Sequence, residues 1–148
     1  MPQTTIYTLV MLAAGIGVPV LAALNSGLGK AIQSPTGASV LTLCFALILA
    51  VVTLMVIGEA GKLKEVPLAP KHFLFAGLFM AFYLLSITFI APKFGVGNAV
   101  FFVLIGQMIS AAAIDHFGLF GAQISPLSLS RAAGLGLMAV GVWLTQQA

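Results

Sequence analysis

Charge is what this sequence has least of: Lys and Arg number 6 and Asp and Glu 3 among 148 residues. That is 6% charged residues, against about a quarter in an ordinary soluble domain. So few ionisable groups cannot cover a water-facing surface, and the length leaves no room for a soluble catalytic domain beside the apolar segments. Acid is especially scarce, and none precedes Glu59. The single cysteine, Cys44, lies within an apolar run, which excludes a disulfide or a cysteine-based metal cluster within one chain. No nucleotide-binding loop, zinc-ligand spacing or nucleophile triad occurs, so no enzyme activity, cofactor or metal is expected. The net charge of +3 does not point to nucleic acid, because the cations stand singly between apolar runs and make no patch.

What is present is apolar: 61% hydrophobic residues and a mean hydropathy of +1.17. The charges leave uncharged runs at residues 1–29, 31–58, 72–92, 94–114 and 132–148. A span needs roughly 20 apolar residues. The expectation is therefore an all-α integral membrane protein, a single transmembrane domain over 1–148 with five transmembrane helices at about 6–28, 38–57, 72–91, 97–115 and 131–146. The fifth is the shortest, but Arg131 at one end and Trp143 with Gln146 and Gln147 at the other match the anchors found at interfaces. The first run lacks Lys and Arg before Tyr7 and is too long for a signal-peptide core, so it is expected to remain as a span. With five spans the amino-terminal side carries Lys62, Lys64, Lys71 and Arg131 and the opposite side Lys30 and Lys93. The positive-inside rule then places the amino terminus in the cytoplasm by a margin small enough for dual topology.

Polar groups in hydrocarbon need either a bundle partner or a water-filled cavity. Gln107 and Ser110 share a side of the fourth span, and either line a substrate cavity or make an interhelical hydrogen bond. Asn25 either faces a cavity or satisfies the end of the first helix. Pro19, preceded by Gly15 and Gly17, permits a kink in that helix. In the third span Phe75, Phe79, Phe82 and Phe89 share a face, with Tyr83 beside Phe79. The stripe is either an aromatic wall for a solute or a lipid-facing and packing surface. Asp115 opposes the dipole at the end of its helix. It is either a coupling carboxylate or an interfacial partner of Arg131 or His116.

The order and spacing of several short motifs carry a resemblance. They are Pro19 with Asn25 and Leu28-Gly29, Ser34-Pro35 with Ala38-Ser39, Ala91-Pro92-Lys93-Phe94-Gly95, Gly106-Gln107, Asp115-His116-Phe117-Gly118, and Arg131 with Gly134-Leu135 and Gly141-Val142. From about residue 10 onward the chain resembles the YdcZ-type family, the five-helix, single-repeat branch of the drug/metabolite transporter superfamily. The resemblance implies a multi-pass exporter or permease of the bacterial inner (plasma) membrane, with one copy of a repeat that larger members carry twice in inverted orientation. The segment from Gly134 to Val142 is also similar to the dimerising last helix of small multidrug-resistance transporters. Those transporters rely on a first-helix glutamate that this chain lacks, so a coupling role falls to Asp115 or is absent.

The function expected is export of a small organic solute by a dimer working through alternating access. Asn25, Phe79, Tyr83, Gln107 and Ser110 are the candidate substrate contacts, Asp115 the candidate coupling group, and Gly134 and Gly141 the candidate dimer-packing residues. An odd span count, a small charge bias and a glycine face favour an antiparallel homodimer. The expected partners are thus a solute, membrane lipid and a second copy. The alternative is a non-transporting membrane subunit or scaffold for another protein.

Overall fold

The computed structural model describes residues 3–147 and is helical throughout its regular structure. Five α-helices follow one another: α1 (Gln3–Ala31), α2 (Pro35–Ile57), α3 (Ala76–Phe94), α4 (Val96–Phe117) and α5 (Leu129–Thr145). Two 3-10 segments, Ala60–Leu68 and Lys71–Phe75, connect α2 to α3, and a short 3-10 turn, Leu119–Gly121, follows α4. Four helical stretches are long and apolar enough to cross a bilayer: Gln3–Ala31, Pro35–Ile57, Lys71–Phe94 and Val96–Phe117. The 17 residues of α5 rise only about 26 Å, slightly less than the roughly 30 Å hydrocarbon thickness.

The helix ends differ from the sequence expectation where local chemistry, not hydropathy, sets them. α1 extends beyond 6–28 at both ends, because its hydrogen-bond ladder continues until the chain turns at Gln33. There Ser34 N–H donates to Gly29 O at 2.9 Å and Gln33 N–H to Lys30 O at 3.3 Å, closing a Schellman motif. Gln33 occupies its left-handed position with φ of 54°, where glycine is usual. α2 starts at residue 35 and not 38, because Ser34 caps it by accepting from Gly37 N–H at 3.0 Å and Pro35 takes the first helical position. The expected start of the third span at 72 is 3-10 up to Phe75, and the α-helix begins at Ala76. Pro19 lies within an uninterrupted α1.

Contacts divide the chain into two units, one ending at Phe94 and one beginning at Gly95. In the first, α1, α2 and α3 all pack on one another. The buried faces are Ala22, Asn25, Ser26 and Gly29 on α1, Ala38 and Ser39 on α2, and Leu84, Ile87, Thr88 and Ala91 on α3. On α1 and α3 these recur at offsets of three, four and seven, one stripe of a 3.6-residue helix. Small side chains dominate, as expected where lipid offers no hydrophobic contrast and association depends on close approach. In the second unit α4 buries Ala99 and Ala112 and α5 buries no residue. Gly118 ends α4 with φ of 60°, and a Cβ there would lie 2.7 Å from Ile124 Cγ1, so glycine is favoured on both counts.

Candidate functional site

Asn25 is the centre of the first unit. It is 2% exposed, and both ends of its carboxamide are engaged by other helices. Oδ1 accepts from Thr42 Oγ1 of α2 at 2.7 Å, and Nδ2 donates to Thr88 Oγ1 of α3. Thr88 gives its own proton to Leu84 O, one turn back, at 2.6 Å, so it meets Asn25 as an acceptor. Ser39 Oγ lies 3.0 Å from Pro35 O and 3.2 Å from Thr88 Oγ1, and its one proton is shared between them. One amide thus ties three helices together. Interhelical bonds of this kind contribute about 0.6 to 2 kcal/mol each in a membrane.

Beside this cluster opens a cleft of about 230 Å³, lined by Ser26, Gly29, Lys30, Gln33, Thr88 and Lys93 among others. Gly29 keeps it open at the α1–α2 crossing: a Cβ would stand 3.2 Å from Pro35 Cα, with only backbone to yield. Lys93 Nζ lies 3.9 Å from the centroid of the Phe89 ring, a cation–π contact. Ser26 is buried, and its hydroxyl has no hydrogen-bond partner among the described residues.

Of the other candidates in this unit, neither Phe79 nor Tyr83 hydrogen-bonds to the cluster. Phe79 is 71% exposed and lines a shallow, wholly apolar groove with Leu78 and Phe82. Tyr83 is half-buried, its hydroxyl shielded and unpartnered among the described residues. Gln107 and Ser110 are both exposed on α4. Asp115 Oδ2 accepts from Arg131 Nη2 at 2.5 Å, joining the end of α4 to the start of α5. The connector is held there too, by Ser125 N–H to Asp115 O at 2.9 Å and Leu127 N–H to His116 Nδ1 at 3.0 Å. Gly134 is half-buried and Gly141 exposed, and a Cβ on either would meet nothing in its own chain within 4 Å.

Sequence reasoning singled out Asn25 but missed its partners Thr42 and Thr88, along with Ser26 and Ser39. The signal was available as the stripes 22, 25, 26, 29 and 84, 87, 88, 91, whose shared spacing marks two facing surfaces. Lys30 and Lys93 entered only as topology signals.

Apolar helices of bilayer-spanning length, joined by short connections and locked by buried amide and hydroxyl groups, define a multi-pass α-helical membrane protein. The chain belongs to the family described as "Putative inner membrane exporter, YdcZ", which it matches over residues 6–144. That family is one of inner-membrane exporters and not of enzymes, which gives the chain its location and its transport role. No curated protein and no solved structure matches the chain.

Proposed function

We propose that the protein exports a small organic solute as an antiparallel homodimer working by alternating access, each copy crossing the membrane five times. The observation that carries this reading is Gln107. Its amide stands near the middle of α4, exposed, with no hydrogen-bond partner among the described residues. An amide facing lipid at that depth is costly, so the α4 face bearing Gln107 and Ser110 calls for a covering surface or a wetted cavity. A second copy supplies both when its own α4 lies across the cavity, in the relation that inverted repeats hold in larger transporters. The open glycine face of α5 supports the same assembly, since a Cβ on Gly134 or Gly141 would meet nothing within 4 Å among the described residues and close approach is left available there. The Arg131 pairing favours Asp115 as an interfacial anchor over a coupling carboxylate.

Purified protein in liposomes, assayed by counterflow with a panel of labelled small organic solutes, tests this. Gln107→Ala is expected to lower flux at least tenfold with little change in melting temperature, because the side chain is exposed and makes no hydrogen bond among the described residues. A fall in stability in step with flux would make Gln107 a packing residue, and no saturable flux from the wild type would favour the scaffold alternative. Gly141→Leu is expected to dissociate the dimer. A single cysteine at the carboxy terminus, in a variant with Cys44 replaced, should label from both sides of the membrane, and labelling from one side only would sink the antiparallel arrangement.

A further inference from the structure

Two of the few cations in this chain line one cleft. Lys30 sits in the last turn of α1 and Lys93 in the last turn of α3, and both line the cleft beside Thr88. A lysine near a helix carboxy terminus is explained singly by the helix dipole. That does not explain two meeting at one concavity with no carboxylate between them. Of the acids in the chain, Glu59 pairs with Lys62 and Asp115 with Arg131, while Glu65 lines a different cleft with Lys62. No acid lines the cleft that Lys30 and Lys93 share. Like charges drawn to one cleft raise each other's energy until an anion lies between them. The charge of the two ammonium groups exceeds the roughly half-unit negative ends of α1 and α3 that they neutralise, and Pro35 brings the positive end of α2 to the same place.

The second, independent observation is Ser26. Ser26 is one of the residues that line this cleft, it is 5% exposed, and its hydroxyl lacks any partner among the described residues. A buried hydroxyl without a partner is uncommon in a folded protein. Other hydroxyls in this unit bond back to a carbonyl one turn earlier, as Thr88 does to Leu84 and Ser39 to Pro35. Ser26 makes no such bond among the described residues, so its proton is left uncommitted. Gly29, which no larger residue can replace without moving Pro35, adds no side chain to the cleft, and Gln33 is a further lining residue with an amide that can donate.

We propose that this cleft is an oxyanion site that takes a carboxylate or phosphate group, with Lys30 and Lys93 supplying charge and Ser26 Oγ an oriented hydrogen bond. The cleft lies where α1 and α3 end and α2 begins, at the level of lipid headgroups in a spanning chain, so the oxyanion belongs either to a free small anion or to an anionic lipid. Binding at this site stands apart from transport. If the export reading also holds, a free anion bound here makes the exported solute an acid, and an equilibrium measurement separates failure of the site from failure of transport.

The test uses the purified full-length protein in a non-ionic detergent. Inorganic phosphate and succinate are titrated calorimetrically against chloride at constant ionic strength, and retention of phosphatidylglycerol is compared with phosphatidylcholine by native mass spectrometry. Saturable binding of phosphate or succinate identifies a free anion, and selective retention of phosphatidylglycerol alone identifies the lipid. The double variant Lys30→Gln with Lys93→Gln is expected to weaken whichever binding is seen at least tenfold, and Ser26→Ala at least threefold, with the ligand-free melting temperature unchanged for the exposed lysines. Lys62→Gln with Lys64→Gln removes the same charge elsewhere and should change binding less than twofold. The proposal is overturned if neither probe binds saturably or selectively, or if both double variants weaken binding equally.

Discussion

In the unit that ends at Phe94, three helices meet through small residues and share one buried carboxamide. In the unit that begins at Gly95, two helices are tied at one end, where Arg131 holds Asp115 and the connector is pinned to the end of α4. The first tie lies away from water, at the centre of the packing. The second is about one-third exposed on both sides, 35% for Arg131 and 36% for Asp115. In lipid, helices gain little from apolar contact alone, so directional bonds and close approach decide which bundles hold themselves together. By that measure the first unit is complete and the second is not: no residue of α5 is buried, and its glycines face open space.

The sharpest way to break this contrast is to block the close approach in the first unit. Gly29→Leu drives a branched side chain into the backbone at Pro35 and is expected to cost about 3 kcal/mol, the upper range for overpacking. Denaturant unfolding in detergent reads the loss, and a variant within 0.5 kcal/mol of wild type, taken as the order of an ordinary surface change, would show that the crossing is loose. Next in size is Thr88→Val, nearly the same shape without the hydroxyl that accepts from Asn25 and Ser39. It should lower stability by about 2 kcal/mol, since the Asn25 amide stays buried with a donor unmatched. If Asn25→Ala restored the stability lost in Thr88→Val, the bond between them would be neutral and the first unit no better anchored than the second. The smallest effect is expected at the ion pair of the second unit. A double-mutant cycle on Asp115→Asn and Arg131→Gln should give a coupling below about 1 kcal/mol, as for other half-exposed pairs. A coupling larger than that of Asn25 with Thr88 would reverse the comparison.

How much of this the sequence reveals depends on the kind of residue involved. The helices are legible because every uncharged run of span length becomes one, and Asp115 with Arg131 is one of the pairings that their positions suggest. The 3-10 stretch Lys71–Phe75 is not legible, because hydropathy does not distinguish i+3 from i+4 bonding. Asn25 draws attention because an amide in hydrocarbon always needs a reason. Thr88 and Ser39 do not, because Ser and Thr can satisfy themselves on the preceding turn and so pass as ordinary span residues. Their service to a second helix depends on which faces meet, and that is a property of the packed bundle. The lysines mislead for a different reason: charge counting assigns each to a membrane side and says nothing of the one cleft that Lys30 and Lys93 both line.

The wide separation of Asn25 from its partners bears on how the protein is made. Thr42 follows 17 residues after Asn25 and can meet its amide as soon as the second helix enters the bilayer, whereas Thr88 follows 63 residues after it. Thr88 thus follows Thr42 by 46 residues, 63 less 17, which at about 5 to 20 residues per second takes the ribosome roughly 2 to 9 seconds. Throughout that interval the newborn hairpin of α1 and α2 carries an unfinished hydrogen bond, which gives an insertase or a neighbouring polar helix time to engage it. Arrival of the third helix closes the knot within the unit that ends at Phe94, using no residue of α4 or α5.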